Sequence, residues 1–295
     1  MNRNYSLILA FVMIFLLAAC AGDIEHQRPA EEATDDDAGD DDVTTFGMEF
    51  YNVGLGCATL IEVPGPYYLL IDGGDVGEGQ FTICPDLQAR GIDHLDVMEM
   101  THPHYDHAGG LADIFACAQV DEVWTNGAES TDDGYLAFRQ ALQAWGGPVV
   151  VKQEGDVDQF GDLTITTLHG DEGAADEDNN SLVQLLTFQD FGALMSTDIE
   201  QPAQQEVADN YAGQIAAVQV VQIPDHGSAP YSVDFVNALA ATYGVLSVGP
   251  NEDGYPSDST VNAYVATGLT LYRTDVNGNI RFEFADGELT ATPQQ

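Results

Sequence analysis

Basic residues are scarce in this chain. Of its 295 residues, seven are Lys or Arg against 49 Asp or Glu, and the formal net charge is −42. Lys152 is the single lysine. The stretch 46–295 alone holds 39 acidic and five basic residues, a net charge of −34, so the acidity is spread through the fold and not held in one tail. A protein that grips nucleic acid needs a basic footprint to release counterions from phosphates. That footprint is missing, so no stable nucleic-acid complex is expected. The charge suits high salt, where screening shortens repulsion to a few ångströms. Cysteine is also sparse. Cys20, Cys57, Cys84 and Cys117 have no zinc-knuckle spacing. After Cys20, three remain, enough for one bridge and one free thiol. Cys84–Cys117 is a conceivable pair, and sequence alone does not decide it. The apolar run Leu7 to Leu17 is too short for a spanning helix.

That run belongs to an address segment. Arg3 gives a basic start, and Leu17-Ala18-Ala19-Cys20 looks like a lipobox, where a signal peptide is cut and the Cys20 thiol lipidated. Residues 1–20 are therefore expected to be a lipoprotein signal peptide. The protein is expected to be an exported bacterial membrane lipoprotein, on the periplasmic or cell-surface side. Residues 21–45, with Asp35-Asp36-Asp37 and Asp40-Asp41-Asp42, repel themselves and offer little apolar surface to bury. They read as a disordered linker between anchor and domain.

From Phe46 to the C-terminus the pattern is that of one domain. Short apolar runs predict strands over 48–53, 58–63 and 67–71, the last two joined by Pro64-Gly65-Pro66. Helices are expected over 83–90 and 111–118, with a strand over 95–100 between them. The region 134–145 has Leu136, Phe138, Ala141, Leu142 and Trp145 near helical spacing. Later strands are expected over 163–168, 181–188, 192–196, 217–223, 245–248, 269–273 and 280–284. Helices are expected from Pro202 and over 232–243 and 257–267. Each half carries strands followed by strand–helix units, which implies an α/β fold of two packed sheets flanked by helices.

The densest chemistry lies at the end of the 95–100 strand. Thr101-His102-Pro103-His104-Tyr105-Asp106-His107-Ala108-Gly109-Gly110 holds three of the seven histidines. Imidazole nitrogens and carboxylate oxygens are the donors that bind Zn²⁺ and similar ions. A loop leaving a strand lets such side chains converge. His169, Asp198 and His226 also stand at strand ends. Alone, each is more often an ordinary surface residue; their order after a His-x-His-x-Asp-His loop gives them weight.

This order resembles the metallo-β-lactamase superfamily, whose fold is a four-layer αββα sandwich. Further stretches resemble the branch containing the metallo-β-lactamase-like domain of the DNA-uptake protein ComEC. These are Asn52-Val53-Gly54-Leu55-Gly56, Leu69-Leu70-Ile71-Asp72-Gly73-Gly74, Asn179-Asn180-Ser181-Leu182-Val183, Ser196-Thr197-Asp198-Ile199-Glu200, His226-Gly227-Ser228, Ser247-Val248-Gly249-Pro250-Asn251 and Tyr272-Arg273-Thr274-Asp275. The chain departs from the branch at Cys57, where an aspartate is usual, and at Asp225 and Tyr255, where histidines are usual.

The resemblance implies two divalent metal ions, zinc before manganese. His102, His104 and His169 would hold one, and Asp106, His107 and His226 the other, with Asp198 bridging. Asp106 and Asp198 would be the catalytic carboxylates around a metal-bridging hydroxide, Asp72 would orient a ligand from behind, and Asn180 and Ser181 would contact substrate. The expected activity is hydrolysis of a phosphodiester in a small molecule or nucleic acid. The alternatives are an ester, lactone or amide hydrolase with the same centre, or a catalytically silent ligand-binding surface lipoprotein.

Overall fold

The computed structural model describes residues 24–26, 45–170 and 176–295. The signal segment with Cys20, and most of the acidic linker, lie outside the described residues. Within that linker, Ile24–His26 forms an edge strand (β1), where no structure was expected.

The strands that follow are β2 (Phe46–Phe50), β3 (Thr59–Val63), β4 (Tyr67–Ile71), β5 (His94–Met100), β6 (Gln119–Thr125), β7 (Val149–Val151), β8 (Val157–Phe160), β9 (Leu163–His169), β10 (Val183–Phe188), β11 (Phe191–Met195), β12 (Val220–Gln222), β13 (Tyr243–Leu246), β14 (Thr270–Arg273), β15 (Ile280–Ala285) and β16 (Glu288–Pro293). The helices are α1 (Cys84–Ala89), α2 (Tyr105–Ala108), α3 (Leu111–Ile114), α4 (Asp133–Trp145), α5 (Gln201–Ile215), α6 (Val233–Ala238), α7 (Asp258–Ala266) and α8 (Thr274–Asn277).

Two sheets stack face to face. One runs β16-β15-β2-β3-β4-β5-β6-β7 and the other β1-β8-β9-β10-β11-β12-β13-β14. Between them lies an apolar core in which Met48, Ile61 and Val97 of the first sheet meet Ile165, Leu186 and Val220 of the second. The outer face of the first sheet packs Leu70, Leu95 and Met98 against Leu87, Leu111 and Phe138 of the helices α1, α3 and α4. The second sheet packs Leu194 and Val221 against Val207, Phe235 and Tyr264 of α5, α6 and α7. Covered on both faces, β5 is buried along nearly its whole length, Asp96 and Glu99 included. The result is the expected αββα sandwich.

Local chemistry sets the element ends. The Asp132 carboxylate accepts the Gly134 amide at 2.8 Å to start α4, and Gly146 ends it in the left-handed region. Pro202 stands in the first turn of α5, where its missing N–H costs nothing. A bridge between Cys84 and Cys117 ties the start of α1 to the loop after α3, and Cys57 is buried and free.

Some expectations fail. The helix expected over 232–243 stops at Ala238, because Leu239 turns extended (ψ 136°) to lead into β13. The strands β8 and β16 escape the sequence pattern. Val-Asp-Gln-Phe has only two apolar residues, and β16 is an edge strand with no residue fully buried. The strand expected from Ser181 begins at Val183, because Asp178–Asn180 coils into a short 3₁₀ turn first.

In each sheet the half that ends in β7 or β14 runs parallel, from β4 to β7 and from β11 to β14. Their carboxyl ends open on one edge of the sandwich, the place where such sheets collect functional loops.

Candidate metal centre

Leaving β5, the chain turns through Pro103 and enters α2, for which His104 is the extended residue at the start (ψ 152°). The four-residue helix brings Asp106 and His107 into one small volume. Close backbone packing holds this loop. The Gly73 amide donates to His107 O at 2.8 Å and the Gly110 amide to Gly74 O at 3.0 Å. A Cβ on Gly110 would come within 2.0 Å of Gly73 O, and one on Gly56 within 2.4 Å of Asp106 O. Glycine is required at both positions by the approach of backbone to backbone.

Asp198 arrives from the loop after β11 and His226 from the loop after β12. Asp106, His107, Asp198 and His226 form one buried group. His107 Nε2 lies 2.9 Å and His226 Nε2 3.1 Å from the same Asp198 oxygen, and His226 Nε2 is 3.2 Å from an Asp106 oxygen. His102, His104 and Asp178 form a second group. His102 Nε2 is 3.9 Å from Asp198 Oδ2, 3.1 Å from His104 Nδ1 and 3.6 Å from Asp178 Oδ1, while His104 Nδ1 is 2.9 Å from Asp178 Oδ1.

Partners behind the ring nitrogens decide which nitrogen faces inward. His107 Nδ1 meets Asp72 Oδ2 at 2.7 Å, and His226 Nδ1 meets the Ser247 carbonyl at 2.7 Å. Both partners accept only, so both Nδ1 atoms donate. The Thr101 hydroxyl donates to Asp72 at 2.8 Å, which leaves its oxygen to accept from His102 Nδ1 at 3.2 Å. Three imidazoles therefore aim Nε2 lone pairs toward Asp198. This is the second layer that metal-binding histidines require.

Such an arrangement needs positive charge at its centre. Asp198 Oδ1 is buried without a hydrogen-bond partner among the described residues. Burial raises the cost of its charge, but His107 and His226 still hold the Asp198 carboxyl well below the usual range. In turn, burial opposes protonation of His107 and His226, yet Asp198 and its neighbours push both well above the ordinary imidazole value. Without a cation the carboxylates recruit protons to these rings. A divalent cation supplies the same charge with the donor set that binds it, so the residues fit two metal ions. His104, opposed by burial but held by Asp178, is raised to about 9. Backbone strain collects here as well, with positive φ at Asp72, Thr197, Asp225 and His226.

The remaining expected residues divide. Asp72 stands behind His107, as expected. His226, not Asp225, faces the carboxylates. Asp225 turns to the Ser228 hydroxyl, and burial and then Asp198 push it up to about 8. Asn180 and Ser181 are buried beside the centre, with Asn180 O accepting from Asn126 at 3.1 Å. The Tyr255 ring lies tilted, 6.2 Å from the His226 ring. His169 joins neither group: its Nε2 meets the Asn179 carbonyl at 2.8 Å. Asp178 was not anticipated. It lies in an acidic loop, where no spacing distinguishes one carboxylate from the next.

Comparisons with known proteins agree with this fold. No family model matches the chain. It is 26% identical over 246 residues to the competence protein ComA of Neisseria gonorrhoeae, covering 82% of this chain and 33% of that protein. It is also 26% identical over 212 residues to ComE operon protein 3 of Bacillus subtilis, covering 70% of this chain and 27% of the relative. The chain thus spans about a third of the length of these curated relatives. Among solved structures, the metallo-β-lactamase fold protein YhfI of Bacillus subtilis matches with a TM-score of 0.52 at 12% identity, over 81% of this chain and 100% of that one. The chain is a metallo-β-lactamase-fold protein, similar in sequence to ComEC-type competence proteins. CmlA, a diiron β-hydroxylase from Streptomyces venezuelae, shares the fold at a TM-score of 0.52 and 18% identity, over 81% of this chain and 54% of that one. The buried His and Asp groups of this fold form a candidate site for a divalent metal ion. Among the described residues, no helix is long and apolar enough to cross a membrane.

Proposed function

We propose that this protein is an exported, lipid-anchored hydrolase that uses two divalent metal ions to cleave a phosphodiester in a small substrate. One observation carries the reading: three histidines, each fixed from behind through Nδ1, aim Nε2 at one buried carboxylate, with the nearest contacts at 2.9 and 3.1 Å. That design has a use only around cations. When bound, two such ions acidify a water and neutralise charge that develops on the reacting group. His102 and His104 would hold one and Asp106, His107 and His226 the other, with Asp198 between them; zinc and manganese both suit these donors.

The protein's own residues do the positioning. Asp72 and Thr101 lock His107 and His102, and Ser247 locks His226, so the inward nitrogens cannot rotate away. Asp198 sits where its free Oδ1 remains available inside the fold. Beside the centre, a cleft of about 510 Å³ is lined by Tyr105 and by Asp75, Glu78, Glu252 and Asp253. Four carboxylates at the mouth oppose a long polyanion and favour a small substrate. The Cys84–Cys117 bridge supports an oxidising, exported location, in keeping with the Leu17-Ala18-Ala19-Cys20 motif.

A second reading keeps the centre and changes the bond, to an ester, lactone or amide. The same acidic mouth favours it, because a neutral substrate suffers no repulsion there. A panel of aryl phosphodiester and aryl ester reporters, run with Zn²⁺ and with Mn²⁺, separates the two. Phosphodiester turnover that His107→Ala abolishes supports the first reading. Turnover of esters alone overturns it in favour of the second.

A further inference from the structure

We propose that the lip of the catalytic mouth, formed by Val76, Phe81 and Tyr105, seats on a zwitterionic phospholipid bilayer, so that the metal centre opens on the headgroup layer of the membrane that holds the anchor. The inference rests on the anchored-enzyme reading above and concerns how the domain sits on its membrane.

Phe81 and Tyr105 are the two exposed aromatic side chains among the described residues. Phe81, 75% exposed, leads every large apolar side chain there, and Val76 follows at 62%. The three are neighbours. The Phe81 amide donates to Gly77 O at 2.9 Å, and a Cβ on Gly77 would touch the Phe81 ring at 3.5 Å. A Cβ on Gly109 would come within 2.6 Å of the Val76 nitrogen. That approach sets the Val76 turn against the end of α2, the helix that Tyr105 begins. Asp75 and Glu78, from the same turn, line the cleft that Tyr105 also lines. An apolar, aromatic lip thus borders the opening beside the metal centre. Single exposed apolar residues are ordinary, but aromatic rings held out together beside a mouth mark a surface that meets an interface.

Two observations choose the membrane as the occupant. The first is where the chain enters the fold. β1 runs parallel to β8, with Ile24 opposite Asp158. In turn Val157 of β8 lies opposite Thr166, near the end of β9. That end, His169, pairs with Val183, two residues past Ser181 beside the metal centre. Ile24 therefore starts β1 on the edge of the sandwich where the metal centre lies. Cys20 stands four residues earlier, at most about 14 Å of extended chain. A lipid on Cys20 is thus tethered on the same edge as the mouth.

The second observation is charge. Asp75, Glu78, Glu252 and Asp253 line the cleft of a domain whose net charge is −34 over residues 46–295. An anionic lipid surface repels such a mouth, whereas the ammonium groups of a zwitterionic headgroup layer attract it. Phe81 and Val76 then reach the boundary between headgroups and acyl chains. Tyr105 sits at the water interface, which suits its apolar ring and polar hydroxyl.

The test uses the full-length protein, with the lipid on Cys20 verified by mass spectrometry, reconstituted into phosphatidylcholine vesicles whose acyl chains carry bromine. Phe81→Trp places a reporter on the lip. Val265→Trp places one near the end of α7 that leads to the start of β14, on the far edge. Each is read as its difference from the wild type, which contains Trp124 and Trp145. Both positions are exposed, and thermal unfolding checks that both variants fold. Phe81→Trp emission should shift to the blue and be quenched by the brominated chains, and Val265→Trp emission should do neither. Brominated phosphatidylglycerol vesicles at low salt should quench Phe81→Trp less. Adding Glu252→Gln and Asp253→Asn should narrow that preference. An unquenched Phe81→Trp, as when the lip serves a protein partner instead, or equal quenching of Val265→Trp would overturn the proposal. Equal quenching by the two lipids, or a preference that the double substitution leaves unchanged, would overturn the part assigned to the headgroup. A chain without lipid on Cys20 would sink the anchoring reading itself, and mass spectrometry reports that separately. Failure to cleave any phosphodiester would sink the hydrolase reading and leave the quenching result standing.

Discussion

Asp72 Oδ2 accepts the Nδ1 proton of His107 at 2.7 Å while its Oδ1 accepts the Thr101 amide at 2.9 Å. One buried carboxylate therefore fixes both the ring that faces Asp198 and the strand end that delivers the histidine loop. Asp72→Asn should reduce metal affinity by roughly 10–100-fold, the usual cost of losing an outer partner, and His104→Ala should cost more. Calorimetric titration with Zn²⁺ of both variants checks the order. Equal affinity in Asp72→Asn and wild type would mean that His107 needs no such support.

A second buried carboxylate, on β5, gives the fold a pH dependence. Glu99 is fully buried, accepts from the Gln184 amide at 2.7 Å, and has its other oxygen unpaired. Burial, and then the charge of Asp72, push it up to about 8. The folded state thus keeps a proton that the unfolded chain releases near pH 4.3. Stability should fall as pH rises from about 4.5 to about 8, by up to about 1.4 kcal/mol per unit, and level off above that. Glu99→Gln should remove this slope and be the more stable form at pH 8. Urea midpoints against pH, taken on metal-free protein, measure it.

The bridge from Cys84 to Cys117 closes a span of 33 residues. Constraining the unfolded chain over such a loop contributes about 3–4 kcal/mol. Cys84→Ser with Cys117→Ser should lower Tm by roughly 6–16 °C for a domain of this size. Calorimetry of oxidised, reduced and doubly substituted protein should give two matching low values and one high one.

Salt should act on substrate and fold together. With a net charge of −34 over residues 46–295, repulsion of a polyanion reaches about 10 Å at 0.1 M salt and about 3 Å at 1 M. For a phosphodiester polymer the KM should therefore fall as salt rises, opposite to a basic nuclease. A small neutral ester should show little change. Stability followed in the same buffers separates this effect from better folding in salt.

The sequence made the strands and the histidine loop legible because their signals are local. Apolar runs such as Leu95–Met100 and the His-x-His-x-Asp-His spacing each lie within a few residues. What it concealed depends on distant contacts. Nothing near Val157 marks β8 as a strand, since its partner β9 supplies the reason. His169 stands at a strand end like His226, and only the Asn179 carbonyl distinguishes its fate. Asp178 is one acid among many until the turn places it between His102 and His104. The Cys84–Cys117 pair needed α1 and α3 side by side to be chosen over pairs with Cys57. Asp225 and His226 are neighbours, and it is the Ser247 carbonyl behind the ring that assigns the inward role to His226.

The central claim is that the buried His and Asp groups form a centre for two metal ions. The most direct measurement is elemental analysis of the purified full-length protein after dialysis from excess Zn²⁺, beside His107→Ala and Asp198→Asn variants shown to be folded. The account predicts about two equivalents per chain in the wild type and a loss of bound metal in both variants. Wild-type protein that retains none under these conditions, or variants that retain as much as the wild type, would contradict it.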